Sequence, residues 1–161
     1  MKIKQQKQIK LFLIEEFNQN KGDELFIRQE KILSELIENT TNKSKKQMKT
    51  LIQTILPRIA LYKVLLEDLT KEDGYQYMMD KVALKKHLST ARMELVPGFY
   101  HIYSQIFLKI MRTTDLQESK QKHGKDYFDV TIKKCLWHTA CDENGCLELC
   151  RLFCDVDDVT Y

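Results

Sequence analysis

Apolar residues recur at helical spacing through the first two thirds of the chain, and alternation replaces that spacing near the end. Leu11, Ile14 and Phe17 share one helical face, as do Phe26, Leu33, Leu36 and Ile37. This predicts amphipathic helices over residues 3–18 and 23–39, with a polar connector from Asn39 to Lys46 after the second. From Met48 to Leu69 the apolar positions Leu51, Ile52, Ile55, Leu56, Ile59, Leu61, Tyr62, Leu65 and Leu66 cover most of a helix circumference, which predicts a central, largely buried helix. Pro57 falls inside it. Lacking an N–H, proline removes the bond to the Gln53 carbonyl, so a kink or a new helix start is expected there.

A further helix is predicted over 71–92, with Tyr75, Met79 and Val82 on one side. Pro97-Gly98 then breaks the chain before a helix carrying Phe99, Tyr103, Ile106 and Ile110. Beyond Met111 the period falls to two: Phe128, Val130 and Ile132 alternate with Asp129, Thr131 and Lys133, the mark of a half-buried strand over 127–134. His123 to Asp126 would be its hairpin turn and residues 116–122 its partner strand. A final helix is predicted across 146–156. The expected fold class is α+β, a mainly helical single domain with a small antiparallel sheet near the C-terminus. Residues 1–46 would form its N-terminal helical segment and residues 47–161 its helical and strand region.

Composition narrows the functional classes. A net charge of +3 with 30% charged residues gives no basic face for nucleic acid, and no apolar run reaches the length of a membrane span. The apolar run after the early lysines, Leu11 to Ile14, is too short for a signal-peptide core. The charge is uneven, with a lysine-rich front and an acidic end where Arg151 is the single cation after residue 140.

All five cysteines lie in that acidic end, at Cys135, Cys141, Cys146, Cys150 and Cys154. An odd count in a chain long enough to bury a core without staples predicts reduced thiols in a cytoplasm rather than a disulfide framework. Their spacing, C-x5-C-x4-C-x3-C-x3-C, matches neither zinc-finger nor ferredoxin patterns, so neither a metal nor another cofactor is expected. On a helix that turns about 100° per residue, Leu149, Leu152, Phe153 and Val156 form an apolar stripe that Cys146, Cys150 and Cys154 continue. Glu148, Arg151 and Asp155 form a solvated face. Asp157 falls on the thiol side and Asp158 nearer to solvent, so Asp157 is the carboxylate that burial would perturb more. Core packing competes with chemistry for the cysteines, because free cysteine behaves as a small hydrophobe. His87, His101, His123 and His138 read as surface or satisfied core residues.

Three stretches, ILPRIALYKVLLEDL (55–69), VPGFYHIYSQIFLKIM (96–111) and KKCLWHTACDENGCLELCRLFCDVDDVTY (133–161), resemble in order and content the L-2-amino-thiazoline-4-carboxylic acid hydrolase family. The matching residues are Pro57, Arg58 and Tyr62; Pro97, Gly98 and Phe99; and Cys135, Gly145, Glu148, Leu149, Phe153, Cys154, Asp157 and Asp158. Two departures stand out. Leu147 replaces a usual proline, and the chain ends at Tyr161 where members continue into an Arg-Thr-containing strand.

The resemblance implies a small-molecule substrate, a cyclic amidine or amide opened at a carbon–nitrogen centre by water, with an N-carbamoyl-cysteine-type product. It makes Asp157 and Asp158 candidates for proton transfer, Cys135 or Cys154 for the nucleophile, and Arg58 with Tyr62 for holding a carboxylate. Arg58 and Tyr62 are four apart and so share a helix face. The rival readings are a non-catalytic small-molecule or metal-binding module on the same fold, which the early ending favours, and a helical interaction protein whose basic front docks an acidic partner while the thiol segment is only core.

Overall fold

The computed structural model describes residues 4–78, 117–123 and 128–151. Most of these are helical, and the strands are confined to one two-stranded ribbon. Backbone packing divides the chain into two compact units, Met1–Gln76 and Tyr77–Tyr161.

The first unit opens with a helical hairpin, α1 (Lys4–Phe17) and α2 (Gln19–Asn39), joined through Asn18 alone. Asn18 adopts a positive φ of 71°, and its side chain accepts a hydrogen bond from the Lys21 N–H at 3.2 Å, which starts α2 four residues earlier than the apolar pattern predicts. Gly22 then sits where the helices nearly touch. A Cβ there would lie 2.7 Å from both the Cα and the N of Ile14, so only glycine permits this approach. The packed stripe of α1 is Ile9 and Leu13, with Ile14 and Phe17 half-buried, whereas Leu11 is turned outward. The reason is the crossing point: packing α1 backbone-to-backbone at Gly22 rotates Leu11 off the contact face. On α2, Leu25, Leu33 and Leu36 are buried together with one polar residue, Gln29. Lys10 ties the hairpin, pairing with Asp23 at 2.9 Å and lying 5.5 Å from the centre of the Phe26 ring.

The central helical run is continuous but changes pitch. α3 (Lys45–Thr50) begins at Ser44, whose hydroxyl accepts from the Gln47 N–H while the Gln47 side chain accepts from the Ser44 N–H, a capping box. Leu51–Ile55 form a π-helical turn closed by the Leu56 N–H on the Leu51 carbonyl, and α4 (Leu56–Leu65) comes next. Pro57 therefore falls in the first turn of α4, where a missing N–H costs no helical bond. The expected kink is a widened turn placed just ahead of the proline. Leu51, Ile55, Leu56, Ile59, Ala60, Leu61, Tyr62, Val64 and Leu65 are all buried, as the all-round apolar pattern requires. α4 stops at Leu65, four residues short of the predicted end, because Thr70 caps α5 (Lys71–Met78) by accepting from the Asp73 N–H at 3.1 Å. The rest of the helix predicted over 71–92, and the one predicted after Pro97-Gly98, lie outside the described residues.

In the second unit β1 (Gln117–His123) pairs antiparallel with β2 (Phe128–Cys135), from Gln117 opposite Cys135 to His123 opposite Phe128, with one irregularity between Glu118 and Ser119. Ile132 is 47% exposed and not half-buried as alternation suggests, since a two-stranded ribbon supplies no second layer of its own. β2 runs directly into α6 (Leu136–Glu143), whose Leu136, Ala140 and Cys141 are buried. Residues 147–151 are helical again, which places Cys146 ahead of that helix instead of inside it.

Candidate functional site

Arg58 is set by the π-helical turn. Its side chain reaches back one turn, and Nη1 donates to the Thr54 carbonyl at 3.2 Å. Donor and acceptor matching sets the Gln5 amide of α1 with its oxygen toward Arg58 and its nitrogen toward Thr54, and in that orientation it accepts from Arg58 Nη2 at 3.2 Å and donates to the same Thr54 carbonyl at 3.2 Å. The guanidinium is half-buried, and loss of hydration pulls its pKa below the usual arginine value. Tyr62, one turn along α4, is fully buried among core residues, so it is a wall of this region and not a solvent-facing contact. Helical spacing puts both on one face. Arg58 is half-buried there and Tyr62 fully buried.

Next to this lies an amide cluster that sequence reasoning overlooked. Gln29, 0% exposed, accepts from Gln6 Nε2 at 2.8 Å, and its own Nε2 donates to Gln6 Oε1 at 3.1 Å and to the Pro57 carbonyl at 3.1 Å. The available signal was Gln29 standing four residues from both Leu25 and Leu33, a polar residue in the middle of an apolar stripe.

The described thiols gather around α6. Cys135 is the last residue of β2 and the N-cap position of α6, half-buried, and its carbonyl accepts from Thr139 Oγ1 at 3.1 Å. At the other end α6 closes in a Schellman turn: the Gly145 N–H reaches the Asp142 carbonyl at 3.0 Å and the Cys146 N–H the Cys141 carbonyl at 2.9 Å. Gly145 supplies the positive φ of 67° that this closure demands. The turn stacks Cys146 on Cys141, with Cys146 Sγ 3.5 Å from the Cys141 carbonyl and both residues buried. A hydrogen bond with the Cys146 thiol, reinforced by burial, pushes the Cys141 thiol far above the ordinary cysteine range. Cys141 and Cys146 are therefore a buried, structural pair.

Cys150 is half-buried, more open than the apolar stripe implied, while Leu149 beside it is fully buried. Arg151 is exposed, as on the solvated face read from the helical projection, while Glu148 is half-buried and Asp155 lies outside the described residues. His138 is exposed on α6. The four described cysteines form no disulfide with one another. Among the described residues no three of His, Cys, Asp and Glu converge as a metal site. Cys154, Asp157 and Asp158 lie outside the described residues. The candidates that the structure describes are thus Arg58 and Tyr62 on α4 in the first unit and Cys135 at the β2–α6 junction in the second.

Among the described residues no helix is long and apolar enough to cross a membrane. The model of the L-2-amino-thiazoline-4-carboxylic acid hydrolase family matches residues 45–161, from the start of α3 to the last residue. No curated protein and no solved structure matches the chain.

Proposed function

The chain belongs to the L-2-amino-thiazoline-4-carboxylic acid hydrolase family, and from that premise we propose that it hydrolyses a small cyclic amidine or amide at a carbon–nitrogen centre. The family match over residues 45–161 is the observation that carries this reading. The substrate it suggests is 2-amino-thiazoline-4-carboxylate or a close analogue. In the reaction an oxygen from water bonds to the ring carbon between nitrogen and sulfur, the carbon–sulfur bond breaks, and the ring sulfur leaves as a thiol. The product is N-carbamoyl-cysteine, which retains both nitrogens.

In this scheme Arg58 holds the substrate carboxylate, because a planar, always-charged guanidinium offers the paired donors that a carboxylate accepts. Its half-buried setting supports that role, since screening by water is weaker there. Tyr62 shapes the wall beneath it. Asp157 and Asp158 transfer the protons, one taking a proton from water and the other delivering one to the ring nitrogen or the departing sulfur. Cys135 or Cys154 is the nucleophile where a covalent route is followed: its sulfur bonds to the ring carbon first and water releases it. The buried Cys141 and Cys146 pair has no part in this.

The experiment is to incubate the purified chain with 2-amino-thiazoline-4-carboxylate and follow N-carbamoyl-cysteine by chromatography and mass. Wild type should turn the compound over, and Asp157→Asn should lower kcat by about 10² to 10⁴ at matched stability. A well-folded wild type that consumes neither this compound nor related cyclic amidines would leave a non-catalytic binding module as the better account.

A further inference from the structure

The family match begins at residue 45, so α1 and α2 precede it entirely. Those two helices nevertheless supply the side-chain amides that hold the turn carrying Arg58. Gln29 donates to the Pro57 carbonyl, one residue before Arg58, and Gln6 locks Gln29 through a reciprocal pair of bonds. Gln5 reaches the guanidinium itself and the Thr54 carbonyl that the guanidinium also uses. Two amides, Gln29 with Gln6 behind it and Gln5, thus address one stretch of backbone, in which the π-helical turn redirects the carbonyls and Pro57 withholds a donor.

The two acceptors described for Arg58, the Gln5 amide oxygen and the Thr54 carbonyl, are both neutral. They fix two of its N–H groups in direction without adding a counter-charge. An arginine side chain otherwise loses much rotamer freedom when it clamps an anion, and fixing the fork in advance lowers that cost. A glutamate at position 5 would have the same reach and opposite effect: it would also orient the fork, but as a built-in carboxylate competing with the ligand's.

We propose that Gln5 is a positioning residue for Arg58, so that the N-terminal helical hairpin belongs to the apparatus that binds the substrate's carboxylate. This rests on the reading that Arg58 contacts that carboxylate. It extends the site to a helix that the family match does not include, and it gives the amide, rather than a carboxylate, at position 5 a chemical reason.

The test uses the full chain with two ligands, 2-amino-thiazoline-4-carboxylate and its neutral carboxamide, in wild type, Gln5→Ala, Gln5→Glu and Arg58→Ala. Gln5→Ala should raise KM for the carboxylate roughly tenfold with kcat little changed, the loss expected when one hydrogen bond to a charged group is removed. KM for the carboxamide should stay within about twofold. Gln5→Glu is the decisive variant, because pairing with Arg58 keeps or raises Tm while KM for the carboxylate rises further than in Gln5→Ala. A purely structural Gln5 would move Tm and leave the contrast between the two ligands untouched. A folded Gln5→Glu protein whose KM for the carboxylate equals that of wild type overturns the proposal. If Arg58→Ala weakens the carboxylate selectively while both Gln5 variants do not, the proposal fails and the assignment of Arg58 survives. If Arg58→Ala changes neither ligand, or wild type shows no saturable interaction with the carboxylate, both fail.

Discussion

Two glycines of this chain serve opposite physical needs, and alanine substitution should separate them. Gly145 has a φ of +67°, yet a Cβ built there meets nothing within 4 Å, so its requirement is backbone conformation alone. Holding alanine in the left-handed region costs about 1–2 kcal/mol, and the narrower unfolded ensemble of alanine returns about 0.4–1 kcal/mol. Gly145→Ala should therefore lose about 1 kcal/mol net, and Gly145→Asn less, because asparagine tolerates that region. Gly22 is the reverse case. It lies within α2, where alanine would gain about 0.8–1 kcal/mol in helix propensity. Its Cβ, however, would meet Ile14 Cα and N at 2.7 Å and the Leu13 carbonyl carbon at 2.8 Å, all backbone atoms that cannot rotate away. Overpacking of that kind costs about 1–3 kcal/mol, so Gly22→Ala should be destabilising despite its better propensity, and Gly22→Asn worse still. Urea denaturation at unchanged slope reads both effects as midpoint shifts. Gly145→Asn no more stable than Gly145→Ala, or Gly22→Ala at least as stable as wild type, would refute the assignment of the two causes.

The thiols offer a second prediction. In native protein an alkylating reagent should reach Cys135 and Cys150 well before Cys141 and Cys146, and early labelling of Cys141 would contradict the closed turn. The raised Cys141 pKa also has a sign: the contribution is fully present below the unfolded thiol value of 9.0, where both states keep the proton. Above it only the unfolded chain ionises, so stability falls by up to about 1.4 kcal/mol per pH unit, and Cys141→Ala should flatten this alkaline limb in thermal melts. Third, Gln29→Leu should cost about 1–3 kcal/mol by stranding the Pro57 carbonyl and the Gln6 amide. Adding Gln6→Leu should cost less than the sum of the single changes, and strict additivity in denaturation would show that the pair is not one network.

Regular local patterns were legible in the sequence, and features made by contact between elements were not. The all-round apolar run from Leu51 to Leu66 announced a buried central helix, and alternation around Val130 announced β2, because burial and pleat impose periods that one chain segment displays by itself. Helix starts were readable in part: Ser44 with Gln47 spells a capping box that places α3 at Lys45 instead of Met48. The faces of α1 were misjudged, since Leu11 and Ile14 are equally apolar and only the approach at Gly22 decides which of them turns inward. Gln29 was invisible as a ligand of α4 for a related reason. Its partners are 23 and 28 residues away in sequence, and no local rule links a glutamine in a stripe to a proline carbonyl.

The cysteine-rich end shows how density of reactive residue types can exceed density of chemistry. A nucleophilic thiol must be reachable and must ionise, and burial opposes both. The Schellman turn fixed by Gly145 brings Cys146 onto Cys141 through backbone bonds, so their closeness follows from how α6 ends. It needs no selection for reactivity. That turn accounts for two of the described thiols by packing alone. Cys135 differs in kind: it sits half-buried where β2 becomes α6. Of the two cysteines proposed for a covalent route it is the one that lies among the described residues, and the family resemblance singles it out beside Cys154. The sequence showed a cluster; the turn geometry separates a packed pair, Cys141 and Cys146, from Cys135 and Cys150, which are half-buried.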